Sequence, residues 1–167
     1  LRATLTASRA SNHSLQLEFD RLRDYLELMA VRMGLRLHYV LELPADLATC
    51  SVPALLLQPL VENSIKHGLE PKVEGGTITV RARRAANNML CLEVSDTGVG
   101  MSPDEISRLF QPFEQADSTT TRRFGGTGLG LVLSSRLAAL LGGKVELKSS
   151  TPGQGSVFSL RLARGTA

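Results

Sequence analysis

The chain has no tryptophan, only two tyrosines and five phenylalanines, and no run of Lys or Arg, so a surface that stacks or tracks nucleic acid has little to be built from. Its two cysteines, Cys50 and Cys91, are far apart and set among apolar residues. They show no zinc spacing and read as reduced, buried thiols in a cytosolic setting rather than as a disulfide. No segment approaches the ~20 apolar residues of a membrane span, and no signal-peptide pattern opens the chain. We therefore expect no membrane contact by these residues and a cytoplasmic location. The chain begins at Leu1 rather than methionine, which predicts a piece of a larger protein, with room for a sensory or membrane-anchored portion outside it.

What is present fits one sizeable core: 167 residues, 43% apolar and 21% charged, with a formal net charge of +3. Phosphate in a pocket explains a mild basic excess as well as a polyanion surface does. The most informative stretch is Gly125-Gly126-Thr127-Gly128-Leu129-Gly130-Leu131, in which four glycines fall within six positions just before an apolar helical run. Glycine tolerates positive φ and leaves no Cβ in the way, and a helix start adds unpaired amides and a partial positive charge. Such a segment can cradle an anion, although glycine turns without ligands are common and this spacing is neither the dinucleotide fingerprint nor the P-loop.

Three other segments add to it. Met89 to Ser95 reads as a strand leading into Asp96-Thr97-Gly98-Val99-Gly100. An ionised Asp only accepts hydrogen bonds, so at the floor of an apolar slot it suits the exocyclic amine of adenine, with Gly98 and Gly100 letting backbone near the base. The plainer alternative is an Asx-turn with a solvated carboxylate. Leu56 to His67 reads as a helix that Gly68 closes at C′. Leu57, Leu60, Val61, Ser64 and Ile65 form its packed stripe, while Asn63, Lys66 and His67, at i, i+3 and i+4, share a polar face. An Asn oxygen is a fitting neutral ligand for Mg²⁺, and a solvent-wetted face with His67 at the helix end is the plainer reading. Lastly, Leu109-Phe110-Gln111-Pro112-Phe113 precedes a stretch from Glu114 to Phe124 with no hydrophobic period, which reads as a lid over 114–125 hung on Phe110 and Phe113. Arg122 and Arg123, just before the glycines, are placed to reach phosphates.

In this order the four segments resemble the GHKL superfamily, and within it the catalytic ATP-binding domain of sensor histidine kinases. Glu62 to His67 is similar to the N box, Asp96 to Gly100 to the first glycine box, Phe110 to Phe113 to the F box, and Gly126-Thr127-Gly128-Leu129-Gly130 to the second glycine box. The resemblance covers nearly everything from about Leu43 onward. The region around Leu57-Gln58-Pro59-Leu60-Val61-Glu62-Asn63 looks like the LytS-type kinases, and the lid and second glycine box look like orthodox or hybrid kinases.

The resemblance implies a two-layer α+β sandwich, the Bergerat fold, with a mixed sheet, helices packed on one face and an N-terminal helix ahead of it. It implies ATP and Mg as cofactors, with Asn63 at the metal. Lys66, His67, Asp96, Gly98, Gly100, Phe110, Phe113, Arg122, Arg123, Gly126, Thr127, Gly128, Leu129 and Gly130 join Asn63 around the nucleotide. Glu62 is the family's candidate for assisting the acceptor, and with Asn63 and Lys66 it completes the expected catalytic set. Pro59 stands four residues before Asn63, where gyrase-like ATPases carry a water-activating glutamate. A proline cannot act as a base, which favours phosphoryl transfer to a supplied residue over steady hydrolysis. The expected partners are upstream dimerisation and phosphoacceptor helices and the receiver domain of a response regulator. An anti-sigma-type serine kinase and a non-catalytic nucleotide-responsive module are the alternatives.

Along the rest of the chain, Leu15, Phe19, Leu22, Leu26, Met29 and Met33 recur in steps of four and three, as in a helix packed against another helix. That helix is either the end of a dimerisation region or an amphipathic element folded onto its own domain. We divide the chain into a helical segment, 1–34, and an ATP-binding domain, 35–167. Leu35 to Leu43 and Thr77 to Arg83 alternate as strands, with Leu35, Leu37, Tyr39 and Leu41 on one side. Pro103 to Leu109 is a short helix with Ser102 as its N-cap. Thr127 to Leu141 is a helix ended by Gly142-Gly143, and Val145 to Ser149 and Val157 to Leu162 make a closing hairpin. None of His13, His38 and His67 has the surroundings of a phosphoacceptor, so the target histidine is expected outside this chain.

Overall fold

The structure is a computed structural model that describes residues 12–108 and 127–163. The lid at 114–125, its anchors Phe110 and Phe113, and Arg122, Arg123 and Gly126 lie outside the described residues. Described strands are β1 (Asn12–Ser14), β2 (Leu37–Glu42), β3 (Ser51–Pro53), β4 (Gly76–Ala85), β5 (Met89–Asp96), β6 (Lys144–Thr151) and β7 (Gly155–Ala163). Helices are α1 (Leu15–Met33), α2 (Gln58–Asn63), α3 (Pro103–Arg108) and α4 (Thr127–Leu140), and α2 runs directly into a π-helical turn, Ser64–Leu69.

Five strands form one sheet in the order β2-β4-β5-β7-β6. The β2–β4 pair is parallel and the others are antiparallel, so the sheet is mixed, as expected. Alternation decides which side is dry. Ile78, Val80 and Ala82 of β4 are buried, as are Leu90, Leu92 and Val94 of β5 and Phe158, Leu160 and Leu162 of β7. These residues meet the apolar sides of the helices in a single core. The alternate residues Thr79, Arg81 and Arg83 are half-buried or exposed, and they carry ion pairs such as Arg81 with Glu42. Cys50 and Cys91 are free and buried, as their neighbours predicted. Among the described residues no helix is long and apolar enough to cross a membrane.

Helix α1 buries its own stripe within this chain. Leu15, Phe19, Leu22, Leu26 and Met33 are buried, Met29 packs against the same core, and Ser14 caps the helix by accepting from the Leu17 amide. Of the two readings of the heptad pattern, the intramolecular one describes these side chains. Two details depart from expectation. Leu35 is 93% exposed because Gly34, at φ 64°, ends α1 in a tight turn, and the strand begins only at Leu37. A two-stranded ribbon of β1 and β3 was not foreseen; each strand has three residues, too few for a period to show.

The helix caps follow the sequence more closely. At α3 the Ser102 hydroxyl accepts from the Glu105 amide at 3.2 Å, and the Glu105 carboxylate accepts from the Ser102 amide at 2.8 Å, a reciprocal capping box. At the end of α4, Gly142 at φ 69° lets the amides of Gly142 and Gly143 bond back to Ala139 and Ala138, a Schellman closure. These ends fix where the chain re-enters the sheet. Because the α1 stripe packs intramolecularly, Phe19→Ala should destabilise the isolated chain by about 3–5 kcal/mol in urea denaturation. Leu35→Ser should stay within about 0.5 kcal/mol of the parent in the same measurement.

Candidate nucleotide site

The site begins where α2 turns into its π segment. Asn63, Lys66 and His67 were expected on one face of an α-helix; the helix widens here into a turn closed by the Glu70 amide on the Ile65 carbonyl at 2.8 Å. Asn63, Ser64, His67 and Gly68 now line one cavity, while Lys66 is exposed and Glu62 is turned to the surface, where it accepts from the Gln58 side chain at 3.0 Å. Gly68 is not the C′ residue that the sequence suggested. Helical structure continues to Leu69, and Gly68 is glycine for a different reason: a Cβ there would meet Asp96 Oδ1 at 2.9 Å.

Strand β5 brings Asp96 to the same place. The cavity holds about 410 Å³ and is lined on this side by Asp96, Val99 and Gly100. Asp96 is only 5% exposed, and its Oδ1 accepts from the Gly98 amide at 2.8 Å. The turn is thus an Asx-turn after all, but with a buried carboxylate instead of a solvated one. Burial pushes the Asp96 carboxyl above the usual aspartate range; the Gly98 amide, the Ser64 hydroxyl, the Ser156 amide and Lys72 pull the other way. Lys72 also braces this turn by donating to the Thr97 carbonyl at 2.8 Å.

Gly98 was expected to approach a base and instead approaches the helix. A Cβ on it would lie 2.3 Å from the Gly68 carbonyl, and it does not line the cavity. Gly100 does, at φ 69°, with the Thr151 carbonyl where a Cβ would sit. One polar atom is orphaned here: Asn63 Oδ1 is buried with no hydrogen-bond partner among the described residues, while the Ser64 hydroxyl faces the Asp96 carboxylate. A buried polar atom left so costs about 1–3 kcal/mol, which a ligand can offset.

Thr127, Gly128, Leu129 and Gly130 form the first turn of α4 rather than an open loop. Sequence reasoning missed Ser64, Met101, Pro152, Ser156 and Phe158 in the cavity wall. Ser64 carried a signal, as a polar residue within an apolar stripe, and Met101 directly follows Gly100; Pro152, Ser156 and Phe158 arrive through strand pairing across long sequence separations.

The family described as "Histidine kinase-, DNA gyrase B-, and HSP90-like ATPase" matches residues 53–166. The chain belongs to this family. A hybrid signal transduction histidine kinase F of Dictyostelium discoideum is 46% identical over 85 residues, 51% of this chain and 8% of that protein. The sensor protein GacS of Pseudomonas syringae pv. syringae is 43% identical over 111 residues, 64% of this chain and 12% of that protein. The chain therefore spans about a tenth of the length of these relatives. Among solved structures, full-length ShkA in complex with AMPPNP superposes with a TM-score of 0.64 at 29% identity, covering 94% of this chain and 32% of that one. The Acinetobacter baumannii histidine kinase AdeS reaches 0.65 at 17% identity, over 93% of this chain and 67% of that one, and shares the fold. This is an ATP-binding domain of the histidine-kinase type within the wider ATPase family.

The Asp96 environment gives a pH prediction. A folded-state pKa above the unfolded one means that the native chain holds this proton more tightly, so the contribution is fully present below the ordinary aspartate pKa of ~3.9 and lost as pH rises through the raised value. The stability of Asp96→Asn relative to the parent should therefore increase as pH rises above about 4. Denaturant midpoints of both proteins across that rise check it.

Proposed function

We propose that this chain binds ATP in the cavity between the α2 helix and the end of β5, and that its parent protein transfers the γ-phosphate to a histidine outside these residues. The observation that supports this most is the meeting of a buried acid, Asp96, and an orphaned amide oxygen, Asn63 Oδ1, in one cavity of about 410 Å³. Asp96 accepts a hydrogen bond from the exocyclic amine of adenine, a donor that guanine does not present at that position. Gly100 admits the base edge, and His67 borders the route from base to phosphates. The first turn of α4, Thr127 to Gly130, and the segment ending in Arg122, Arg123 and Gly126 supply amides and guanidinium groups to the phosphates. Phe110 and Phe113 anchor the lid, and Glu62 and Lys66, exposed beside Asn63, meet the incoming acceptor.

Magnesium fits the donor set. Among the described residues no group of three or more His, Cys, Asp or Glu could hold a metal ion, and the cation is proposed to come with the phosphates. Asn63 Oδ1 is the neutral oxygen available to it, in keeping with an ion that retains several waters. When bound, the ion neutralises phosphate charge. The chain's own contribution is positioning and electrostatics, which is most of what phosphoryl transfer asks of a protein. We divide the chain at residue 34, the segment 1–34 leading from upstream dimerisation and phosphoacceptor helices and 35–167 holding ATP. The phosphoryl group then passes to an aspartate of a receiver domain. The relatives named as sensor and hybrid kinases support that sequence of steps.

Mixing the chain with labelled ATP and a separate histidine-bearing helical domain tests the transfer. An acid-labile phosphohistidine is expected; acid-stable label on serine would instead indicate the serine-kinase alternative, and tight binding without transfer a nucleotide-responsive module. In calorimetry, Asp96→Asn should lose roughly tenfold or more in ATP affinity and most of its preference over GTP, the scale of one charged hydrogen bond. Asn63→Ala should abolish the Mg-dependent part of that affinity.

A further inference from the structure

The helix that carries Asn63 and His67 is held at both ends by charged side chains from one place, the α1 helix and the turn that follows it. At its leading end, Glu18 of α1 is 2% exposed, and its Oε2 accepts from the Leu57 amide at 2.8 Å while Oε1 accepts from the Leu55 amide at 3.3 Å. Leu57 is the N-cap of α2, so Glu18 does across the fold what the glutamate of a capping box does within one helix. His13 Nε2 lies 2.6 Å from the same Oε1. Leu55, at φ 65°, is a branched residue in a left-handed conformation that this contact helps to hold.

At the trailing end, Arg36 spreads over the last carbonyls. Its Nη2 donates to Glu70 at 2.8 Å, to Lys72 at 2.7 Å and to Leu69 at 3.4 Å, and its Nε donates to the Val73 carbonyl at 3.0 Å. Arg32, one turn earlier on α1, pairs with the Glu70 carboxylate. The signs match the helix dipole at each end, anion at the amino end and cation at the carboxyl end. The hydrogen bonds of Glu18 and Arg36 described above go to residues outside the cavity lining, at the two ends of the turn that presents Asn63 and His67.

On the nucleotide reading above, we propose that Glu18 and Arg36 are positioning residues of the site, splinting the α2 helix to α1 so that the phosphate-side groups keep their register with Asp96 on β5. Loss of either contact lets the helix shift while Asp96, held by the Gly98 amide and the sheet, stays put. The base end should therefore survive and the phosphate end should suffer.

The test uses the whole 167-residue chain, carrying Glu18→Gln, Arg36→Gln or Arg36→Lys, with a non-hydrolysable ATP analogue and its guanine counterpart in calorimetry. NMR of the Asn63 side-chain amide is recorded alongside, under conditions where circular dichroism shows full folding. We expect fivefold or greater loss of affinity in Glu18→Gln and Arg36→Gln, moved Asn63 amide signals, partial recovery in Arg36→Lys, and an adenine-over-guanine preference equal to the parent's. Folded variants with parental affinity and unmoved Asn63 signals would overturn the proposal. So would loss of adenine preference in step with affinity, which marks general loosening. Should Glu18→Gln not fold, the two Arg36 variants decide alone. A parent chain that binds neither analogue would instead overturn the nucleotide reading on which the proposal rests.

Discussion

Everything about the cavity depends on how closely the π turn of the Asn63 helix lies against the end of β5. A Cβ on Gly98 would strike the Gly68 backbone and one on Gly68 would crowd the Asp96 carboxylate, and the Val99 amide donates to the Gly68 carbonyl at 2.9 Å. That one backbone contact seats the helix on the sheet. From it follow the burial of Asp96, the aim of Asn63 and His67 into the same space, and the placement of Gly100 on the rim. Side chains of any size at 68 or 98 would hold the two elements apart and open the cavity's floor to water.

The arrangement sacrifices some stability for readiness. A buried carboxyl with a raised pKa and an unpaired buried amide oxygen are each unfavourable, and a natural core usually avoids them. They are concentrated within one cavity, beside a π turn, a form of helix that recurs at functional sites. The capped helices, alternating strands and glycine-closed α4 follow local preference, while the unpaired amide oxygen and the buried carboxyl lie where a ligand would resolve them.

How much of this was legible in the sequence varies with the range of the interaction. Strands β4, β5 and β7, helix α1 and the caps at Ser102 and Gly142 were readable because each depends on alternation, on helical spacing or on a single residue type acting locally. The acid at the end of β5 and the amide on the helix were readable as chemistry. The π turn was not, since Leu56 to His67 has a sound α-helical period and nothing in it announces a wider turn; the consequence was a wrong role for Gly68. Gly98 misled for a related reason. A glycine next to a candidate site looks like room for a ligand, and here the room is taken by another backbone. The β1–β3 ribbon and the cavity wall at Pro152, Ser156 and Phe158 arise from pairings between distant segments, which no local window contains.

The short turn before the Asn63 helix is also where α4 attaches. The buried Ser134 hydroxyl donates to the Leu56 carbonyl at 3.0 Å, between the two amides that bond to Glu18. Three consecutive residues thus join the glycine-led helix to α1. By thermodynamic reciprocity, any preference a bound molecule has for one setting of that junction is returned in equal measure to the preceding helix. News of an occupied pocket and news from upstream would travel over the same few peptide groups.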